Sequence, residues 1–218
     1  MHHCLELPEI VFKIASHAAE GDNYRGGLAR LARTCHLFSE AACDQLWCSV
    51  HEGILLQLMR CLFGGHVSAG SDFGRAQRCL SRIRHLHLSF STPRAVDMLL
   101  LATWLGGPAS FPRLEKLDWQ DVDQAEVSEL LGSVLSSSPR LRTLHLKVAS
   151  EAALRHITPI IAQIPLRRLT LKAPEDTDSD AEVVSSLIRS VPPHDLQSLE
   201  VDGLLEYTFR WLTTPFAG

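Results

Sequence analysis

The 218-residue sequence has no apolar run approaching the roughly 18 to 20 residues that a membrane-spanning helix needs. Its best candidate, residues 98–105, is too short and follows Asp97. The sequence also lacks an excess of basic residues, because 21 Lys and Arg stand against 25 Asp and Glu and the formal net charge is −4. That balance provides no electrostatic footprint for nucleic-acid binding. We therefore expect neither a membrane nor a nucleic acid as a partner.

The six cysteines include no Cys-x-x-Cys pair, although structural zinc sites favour closely spaced ligand pairs. Cys35, Cys43 and Cys48 lie near His36 and His51 in the sequence. However, Cys35 and Cys43 belong to an apolar helical pattern, where a free cysteine behaves as a small hydrophobic residue. The sequence therefore predicts no metal and no cofactor. Because only six residues precede the first apolar block, too few for a signal peptide, we expect a cytoplasmic or nuclear protein with reduced thiols.

Recognisable catalytic motifs are missing as well. There is no Gly-x-Ser-x-Gly and no Gly-Lys-Ser/Thr, and the Asp-Phe-Gly triplet at residues 72–74 lacks the other kinase motifs. The acidic run at residues 176–180 begins like a calcium loop but has Ala181 and Leu187 where that loop needs Gly and Glu. A small hydrolase would require a buried Cys–His pair, which the sequence does not place. We therefore expect no enzyme active site.

Residues 7–50 contain apolar side chains at helical spacing in three segments. After Pro8, which suits a first helical position, Ile10, Val11 and Ile14 form one apolar stripe. Residues 20–27 interrupt the pattern with turn-forming types. The stripe resumes with apolar residues at Leu28, Leu31, Ala32, Phe38, Ala41, Ala42, Leu46 and Trp47. This pattern predicts three short helices that cannot bury each other fully, so that an apolar face remains for a partner.

A second pattern, apolar-x-x-Leu-x-apolar, occurs five times in the rest of the chain. The blocks begin at Ile83, Leu114, Leu141, Leu166 and Leu196, with spacings of 31, 27, 25 and 30 residues. All three apolar positions keep these spacings. Helix-period stretches lie between the blocks, at residues 93–105, 124–135, 152–164 and 180–191. The pattern predicts strand–helix units that stack because no unit can bury its own apolar face.

These two patterns resemble two known families. The order of Leu7, Pro8, Ile10, Ile14, Leu28, Leu31, Cys35, Phe38, Leu46 and Trp47 resembles the F-box, and the five blocks resemble leucine-rich repeats. The resemblance implies an α/β fold: a short three-helix F-box-like module at residues 1–50 and an irregular leucine-rich-repeat solenoid with a parallel sheet on its concave face. The solenoid would cover residues 82–218 in about five units. A helical connector at residues 51–81, with a Gly/Ser-rich linker at 64–74, would join the two.

The resemblance also implies a function. The F-box family docks a Skp-type adaptor, which joins a cullin and a RING subunit in SCF ubiquitin ligases. The matching positions here are Leu7, Pro8, Ile10, Val11, Ile14, Leu28, Leu31, Phe38, Leu46 and Trp47. We therefore expect a non-catalytic substrate-recognition subunit of an SCF-type ligase. The alternative is an interaction scaffold whose N-terminal helices serve only as a cap for the repeats.

The expected substrate surface follows from strand alternation. If the leucines of each block point inward, the intervening residues lie on the concave face. The candidate residues for binding a protein substrate are His85, His87, Lys116, Asp118, His145, Lys147, Arg168, Lys172 and Glu200. The substrate itself is not identified by the sequence.

Overall fold

The computed structural model describes residues 7–20, 24–63, 73–89, 111–122, 125–148, 151–172, 196–202 and 211–212. Within these ranges the chain forms a mixed α/β fold. Its helices are α1 (Pro8–Ala18), α2 (Tyr24–Thr34), α3 (His36–Cys48), α4 (Glu52–Phe63), α5 (Phe73–Leu80), α6 (Ala125–Ser136) and α7 (Glu151–Ile161). Its strands are β1 (Ser49–His51), β2 (His85–Ser89), β3 (Lys116–Val122), β4 (Thr143–Val148), β5 (Arg168–Lys172), β6 (Ser198–Asp202) and β7 (Trp211–Leu212).

The three helices predicted for residues 7–50 are present, and we call α1–α3 the helical module. Pro8 opens α1, where its missing N–H leaves no hydrogen bond unmade. Helix α3 packs against both α1 and α2, and the Nε2 of Gln45 donates a hydrogen bond to the Oγ of Ser16 at 3.1 Å. The prediction of a turn through Gly27 was wrong, because α2 already begins at Tyr24. Glycines are tolerated in a first helical turn, and tertiary contacts of Arg25 described below hold this end of the helix in place.

The strands form one seven-stranded sheet in chain order, β1 to β7. Strands β1 to β6 are parallel to their neighbours, and β7 runs antiparallel to β6. The predicted repeat spacing is confirmed by the strand register. The same block position is paired from strand to strand, at His85, Lys116, Thr143, Arg168 and Ser198.

The sheet begins one strand earlier than the sequence pattern indicated. Val50 pairs with Leu86 in β2, so the predicted domain boundary at residue 50 falls inside β1. By this register Trp47 takes the block position of Ile83, but Glu52 replaces the third apolar residue. The Glu52 carboxylate instead accepts a hydrogen bond from the Ser89 backbone N–H at 3.2 Å. The block was missed because apolar residues occupy only two of the three positions that are apolar in the other blocks.

The core lies on one side of the sheet. It is formed by the inward residues of the strands and by helical side chains that cover them, including Leu55 of α4, Leu131 of α6 and Ile157 of α7. The buried strand residues are Val50, Leu86, Leu88, Leu117, Trp119, Leu144, Leu146, Leu169, Leu171, Leu199 and Val201. Gly132 lets α6 and α7 approach closely, because a Cβ there would lie 2.9 Å from the Cδ1 of Ile160. The opposite side of the sheet is left without a helical layer from these elements.

The remaining helix predictions had mixed outcomes. The helix predicted at 124–135 is α6, and the one at 152–164 is α7, which continues through Pro159 without restarting. The connector contains α4 and α5, as expected, but Phe73 and Gly74 belong to α5 and not to the predicted linker. The remainder of that linker, at 64–72, and the helices predicted at 93–105 and 180–191 lie outside the described residues.

Arg82 connects the helical module to the sheet. Its Nη1 donates hydrogen bonds to the Glu40 carbonyl oxygen at 3.1 Å and to the Oδ1 of Asp44, and its Nη2 donates to the Oε2 of Glu40. The Nη1 of Arg113 lies 3.9 Å from the Oδ2 of Asp44. The Arg82 side chain is only 15% exposed, so these bonds are partly shielded from water. They join α3 to the turn before β2. Two residues further along the chain, the Arg84 N–H donates a hydrogen bond to the Cys48 carbonyl oxygen.

Candidate functional surfaces

The sheet presents one polar side, which we call the open face. It consists of the strand residues that alternate with the buried ones: Ser49, His51, His85, His87, Ser89, Lys116, Asp118, Gln120, Thr143, His145, Lys147, Arg168, Thr170, Lys172, Ser198 and Glu200. None of these side chains is buried. All nine residues that the sequence analysis selected for substrate binding lie on this face.

The strand register arranges the open face in rows. One row, the middle row, runs across the sheet through His51, His87, Asp118, His145, Thr170 and Glu200. Neighbouring members are one strand apart, about 4.8 Å between backbones. The Nδ1 of His87 lies 3.2 Å from the Oδ2 of Asp118, so the Asp118 carboxylate is engaged by its neighbour on β2.

Two histidines of the middle row are biased toward the neutral form. Partial burial lowers the pKa of His145, and the positive charges of Lys116 and Arg168 act in the same direction, against Asp118 and Glu200. Partial burial also lowers the pKa of His51, helped by Arg25 and His87. Each of these neutral imidazoles offers one hydrogen-bond donor and one acceptor at neutral pH. The open face can therefore hydrogen-bond a partner at these positions without adding a charge.

Four cations lie on β3, β4 and β5. Lys116 and Arg168 belong to the row that runs through Thr143. Lys147 and Lys172 pair directly across β4 and β5 at the other end of these strands. Lys172 is in turn in register with Asp202 of β6 on its other side.

Among the described residues, no group of three His, Cys, Asp or Glu side chains could hold a metal ion. Burial raises the pKa of the Cys48 thiol, so this cysteine is held in the unreactive protonated form. In the same part of the chain, no helix has the length and apolar character needed to cross a membrane.

A second surface, on the helical module, is apolar. Of the described residues, the large apolar side chains left exposed are Leu7 (50%), Phe12 (48%), Ile14 (38%) and Leu37 (38%). Ile10, Leu31, Phe38 and Leu46, on the same three helices, are half-buried. We call these eight residues together the apolar helical surface, although Phe12 lies about 200° around α1 from Ile14 and therefore on a different side of that helix. Pro8, at the start of α1, is also exposed.

Three of the residues predicted to bind an adaptor are partly or fully covered within the chain itself. Val11 and Leu28 are buried in the chain, at 3% and 0% exposure, and therefore stabilise the helical module itself. Trp47 is half-buried and packs against the core beneath the sheet. Helical periodicity identifies an apolar stripe, but it does not show which part of the stripe the other helices cover.

Sequence reasoning missed two exposed residues of this surface. Phe12 lies off the stripe of Ile10, Val11 and Ile14, and Leu37 lies in the first turn of α3, before the segment that was read as apolar. Each of the two is a large apolar residue on a helix but outside the predicted apolar pattern. That was the sequence signal that could have identified them.

Comparison with models of known protein families gives no match for this chain, and comparison with curated protein sequences gives none either.

Proposed function

We propose that the chain is a non-catalytic substrate-recognition subunit of an SCF-type ubiquitin ligase. The helical module is the F-box and binds a Skp-type adaptor, which links it to the cullin and RING subunits. The strand–helix units form an irregular leucine-rich-repeat solenoid, whose open face is its concave side and binds a protein substrate. Such a subunit acts by raising the effective concentration of the substrate beside the ubiquitin-carrying enzyme.

The observation that carries this proposal is where exposed apolar side chains are found. Leu7, Phe12, Ile14 and Leu37 all belong to the helical module or its first flanking residue, whereas the open face of the sheet is polar. Exposed apolar side chains concentrated on one small module are expected where a partner covers the surface. The order of apolar residues in this same segment is the one that resembles the F-box.

A fixed spacing between the two surfaces supports the same function. The Arg82 hydrogen bonds to Glu40 and Asp44 tie α3 to the sheet, and Trp47 packs into the core. A substrate on the open face is then held at a defined position relative to an adaptor on the helical module.

The test is binding of the purified chain to a purified Skp-type adaptor, measured by isothermal titration calorimetry. The double variant Leu7→Asp with Ile14→Asp changes two exposed side chains, and an aspartate at the N-cap position 7 favours helix formation. We expect this variant to bind at least about tenfold more weakly, because central apolar contacts contribute about 1–2 kcal/mol or more each.

The matched control is Gln77→Asp with Arg140→Gln, which changes the net charge by the same amount at exposed positions away from the helical module. It should bind the adaptor like the wild type. Absence of adaptor binding by the wild-type chain, or equal weakening by the control, would contradict the proposal. Circular dichroism of each variant establishes that it is folded.

One observation favours a second candidate, an interaction scaffold whose N-terminal helices are a cap. Trp47 and Val50 join α3 to the core and to the first strand, as a cap on a stack of repeats would do. A scaffold is expected to be monodisperse when purified alone. An adaptor-dependent subunit is expected to self-associate through its apolar helical surface until the adaptor covers it, which size-exclusion chromatography with light scattering distinguishes.

A further inference from the structure

The first residues of β1 to β6 form one row across the open face, which we call the entry row. It runs through Ser49, His85, Lys116, Thr143, Arg168 and Ser198. This row contains the cations Lys116 and Arg168 and no carboxylate, whereas the middle row beside it contains Asp118 and Glu200. A small anion is therefore attracted to the entry row and repelled from its neighbour.

Lys116 and Arg168 are available to a ligand. Lys116 is half-buried and Arg168 is exposed. Among the described residues, neither side chain takes part in an ion pair or a hydrogen bond. Asp118 follows Lys116 by two residues on the same side of β3, but its carboxylate lies 3.2 Å from the Nδ1 of His87. Glu200 is one strand and two residues away from Arg168 and forms no ion pair with it.

Four hydrogen-bond donors surround the centre of the entry row. Thr143 lies between Lys116 and Arg168, which are two strands apart, or about 10 Å between backbones. His145 follows on the same side of β4, about 7 Å further along the strand. The pKa of His145 is lowered first by burial and then by the positive charges of Lys116 and Arg168. Both cations therefore act on the same small region above β4.

This arrangement suits a phosphoryl group better than a carboxylate. A phosphate monoester has three acceptor oxygens and nearly two negative charges at neutral pH, whereas a carboxylate has two oxygens and one charge. An ammonium, a guanidinium, a hydroxyl and a neutral imidazole can together donate to three oxygens. The two cations also balance a dianion, and a guanidinium can bind two phosphate oxygens at once.

The surroundings favour a single phosphoryl group over a nucleic acid. Glu115, Asp118 and Glu200 each lie within two residues of the entry row, and a nucleic acid would bring a further phosphate near them at every nucleotide. Arg84 and Arg167, exposed one residue before the row, attract an anion to this end of the sheet. A phosphorylated side chain in an otherwise neutral protein segment supplies one such group.

We propose that the entry row binds one phosphorylated serine or threonine of a partner protein. Lys116 and Arg168 neutralise the phosphoryl group, and Thr143 and His145 donate hydrogen bonds to it. The middle row disfavours further anions beside it. The description of this partner as a ligase substrate rests on the proposed function, whereas the binding surface itself does not depend on that function.

The probe is a synthetic serine–glycine peptide with one central phosphoserine. Its binding to the full chain is followed by titration of amide chemical shifts at low ionic strength, which detects weak complexes. Peptides with glutamate or serine at the central position are the controls. We expect shifts concentrated around Thr143 and His145, and an affinity about threefold to tenfold higher than that of the glutamate peptide, since exposed charge pairs contribute modestly. Equal affinity for the phosphoserine and glutamate peptides would overturn the assignment to a phosphoryl group.

The variant Lys116→Gln with Arg168→Gln should weaken binding of the phosphoserine peptide at least about tenfold, because both charge-assisted contacts are lost. Lys147→Gln with Lys172→Gln is the matched control. It removes the same charge from exposed positions at the other end of β4 and β5 and should leave binding nearly unchanged. Circular dichroism establishes that both variants are folded. Equal weakening by the two variants would show that only net charge is sensed and would overturn the proposal.

His145 reports where the phosphoryl group binds. The charged groups that act on its ring are Lys116 and Asp118 on β3, Arg168 on β5 and Glu200 on β6. A bound dianion favours the protonated imidazole, so saturation with the phosphoserine peptide should raise the pKa of His145. The pH dependence of the ring signals measures this change. An unchanged pKa in the saturated complex would overturn the proposed position.

Inorganic phosphate and an oligouridylate test other sources of a phosphoryl group. If either binds as tightly as the phosphoserine peptide, with the same dependence on Lys116 and Arg168, the assignment to a protein segment is overturned. Adaptor binding is measured on the same double variant and should be unchanged. A wild-type chain that binds the adaptor but not the peptide refutes this inference alone, whereas one that binds the peptide but not the adaptor refutes only the ligase assignment.

Discussion

Arg25 of α2 donates a hydrogen bond from Nη2 to the carbonyl oxygen of Ser49, 2.7 Å away, on the first strand of the sheet. The neighbouring Cys48 carbonyl accepts from the Arg84 N–H on the β2 side, so strand alternation directs the Ser49 carbonyl outward. Tyr24 holds the guanidinium in place, because its ring lies 5.4 Å from the Arg25 Cζ and its hydroxyl accepts from Nε at 3.1 Å. The helical module therefore covers a sheet edge that could otherwise pair with another chain.

Replacement of Arg25 tests this protection. Arg25→Ala should lower the free energy of unfolding by about 1–2 kcal/mol, since a charge-assisted hydrogen bond to a carbonyl is lost. It should also promote concentration-dependent self-association through the freed edge. Urea denaturation and light scattering measure the two effects. Arg33→Ala, at an exposed position of the same helix, should show neither.

Replacement of Arg82 tests the connection between the helical module and the sheet. Arg82→Ala should destabilise the chain by about 1–3 kcal/mol, because several charge-assisted hydrogen bonds to α3 disappear. Arg82→Lys should recover only part of this, since an ammonium cannot form the forked contacts of a guanidinium. Arg30→Ala is the matched control on an exposed helical position, and an equal loss there would contradict the role of Arg82.

The Arg82 effect should depend on pH in a defined direction. Arg82 lowers the pKa of Glu40 from its ordinary value of 4.5 through a hydrogen bond and its positive charge. The folded state therefore binds fewer protons there than the unfolded state, and this stabilisation is present above pH 4.5 and lost as the pH falls through the lowered pKa. The stability difference between wild type and Arg82→Ala should shrink in that window. A constant difference down to pH values below it would refute the ionic contribution.

The histidines of the open face predict a second pH dependence. The pKa values of His51 and His145 are both lowered from 6.5, chiefly by burial. Protonation therefore favours the unfolded chain, and stability should fall as the pH decreases below about 6.5 toward the lowered values. His51→Gln with His145→Gln should reduce this slope in urea denaturation between pH 7 and about 5. His156→Gln, at an exposed position of α7, should leave the slope as in the wild type.

Neighbouring residues of β4 test the alternation that creates the open face. Leu144 is fully buried, and Leu144→Ala should cost about 2–5 kcal/mol through lost burial and a residual cavity. Thr143 is half-buried on the open face, and Thr143→Ala should change stability by only about 0.5 kcal/mol. Thermal denaturation compares the two. Similar effects of both changes would contradict the assignment of faces.

Much of the sheet was predictable because its pattern repeats. Three apolar positions recurring together placed β2 to β6 and assigned their inward and outward residues, which the register and burial confirm. Strand β1 was not found, because Glu52 replaces its third apolar residue and the strand has only three residues. The antiparallel β7 was not predicted either, since it does not follow the repeat.

The helical module was predictable as three helices but not as a surface. The apolar stripe of α1 contains both Val11, which is buried, and Ile14, which is exposed. Local periodicity treats the two alike, because it depends only on position along the helix. Phe12 and Leu37 were missed for the same reason, since their exposure depends on which neighbours α1 and α3 acquire in the fold.

The inward and outward residues of each repeated strand could be read from the sequence alone, because side chains alternate along any extended backbone. The packing of Trp47 against the core, the hydrogen bonds of Arg82 to α3 and the hydrogen bond of Arg25 to the edge of β1 arise only in the folded chain. Those contacts join residues up to 42 positions apart. Their formation depends on how the packed elements approach one another, which no local pattern encodes.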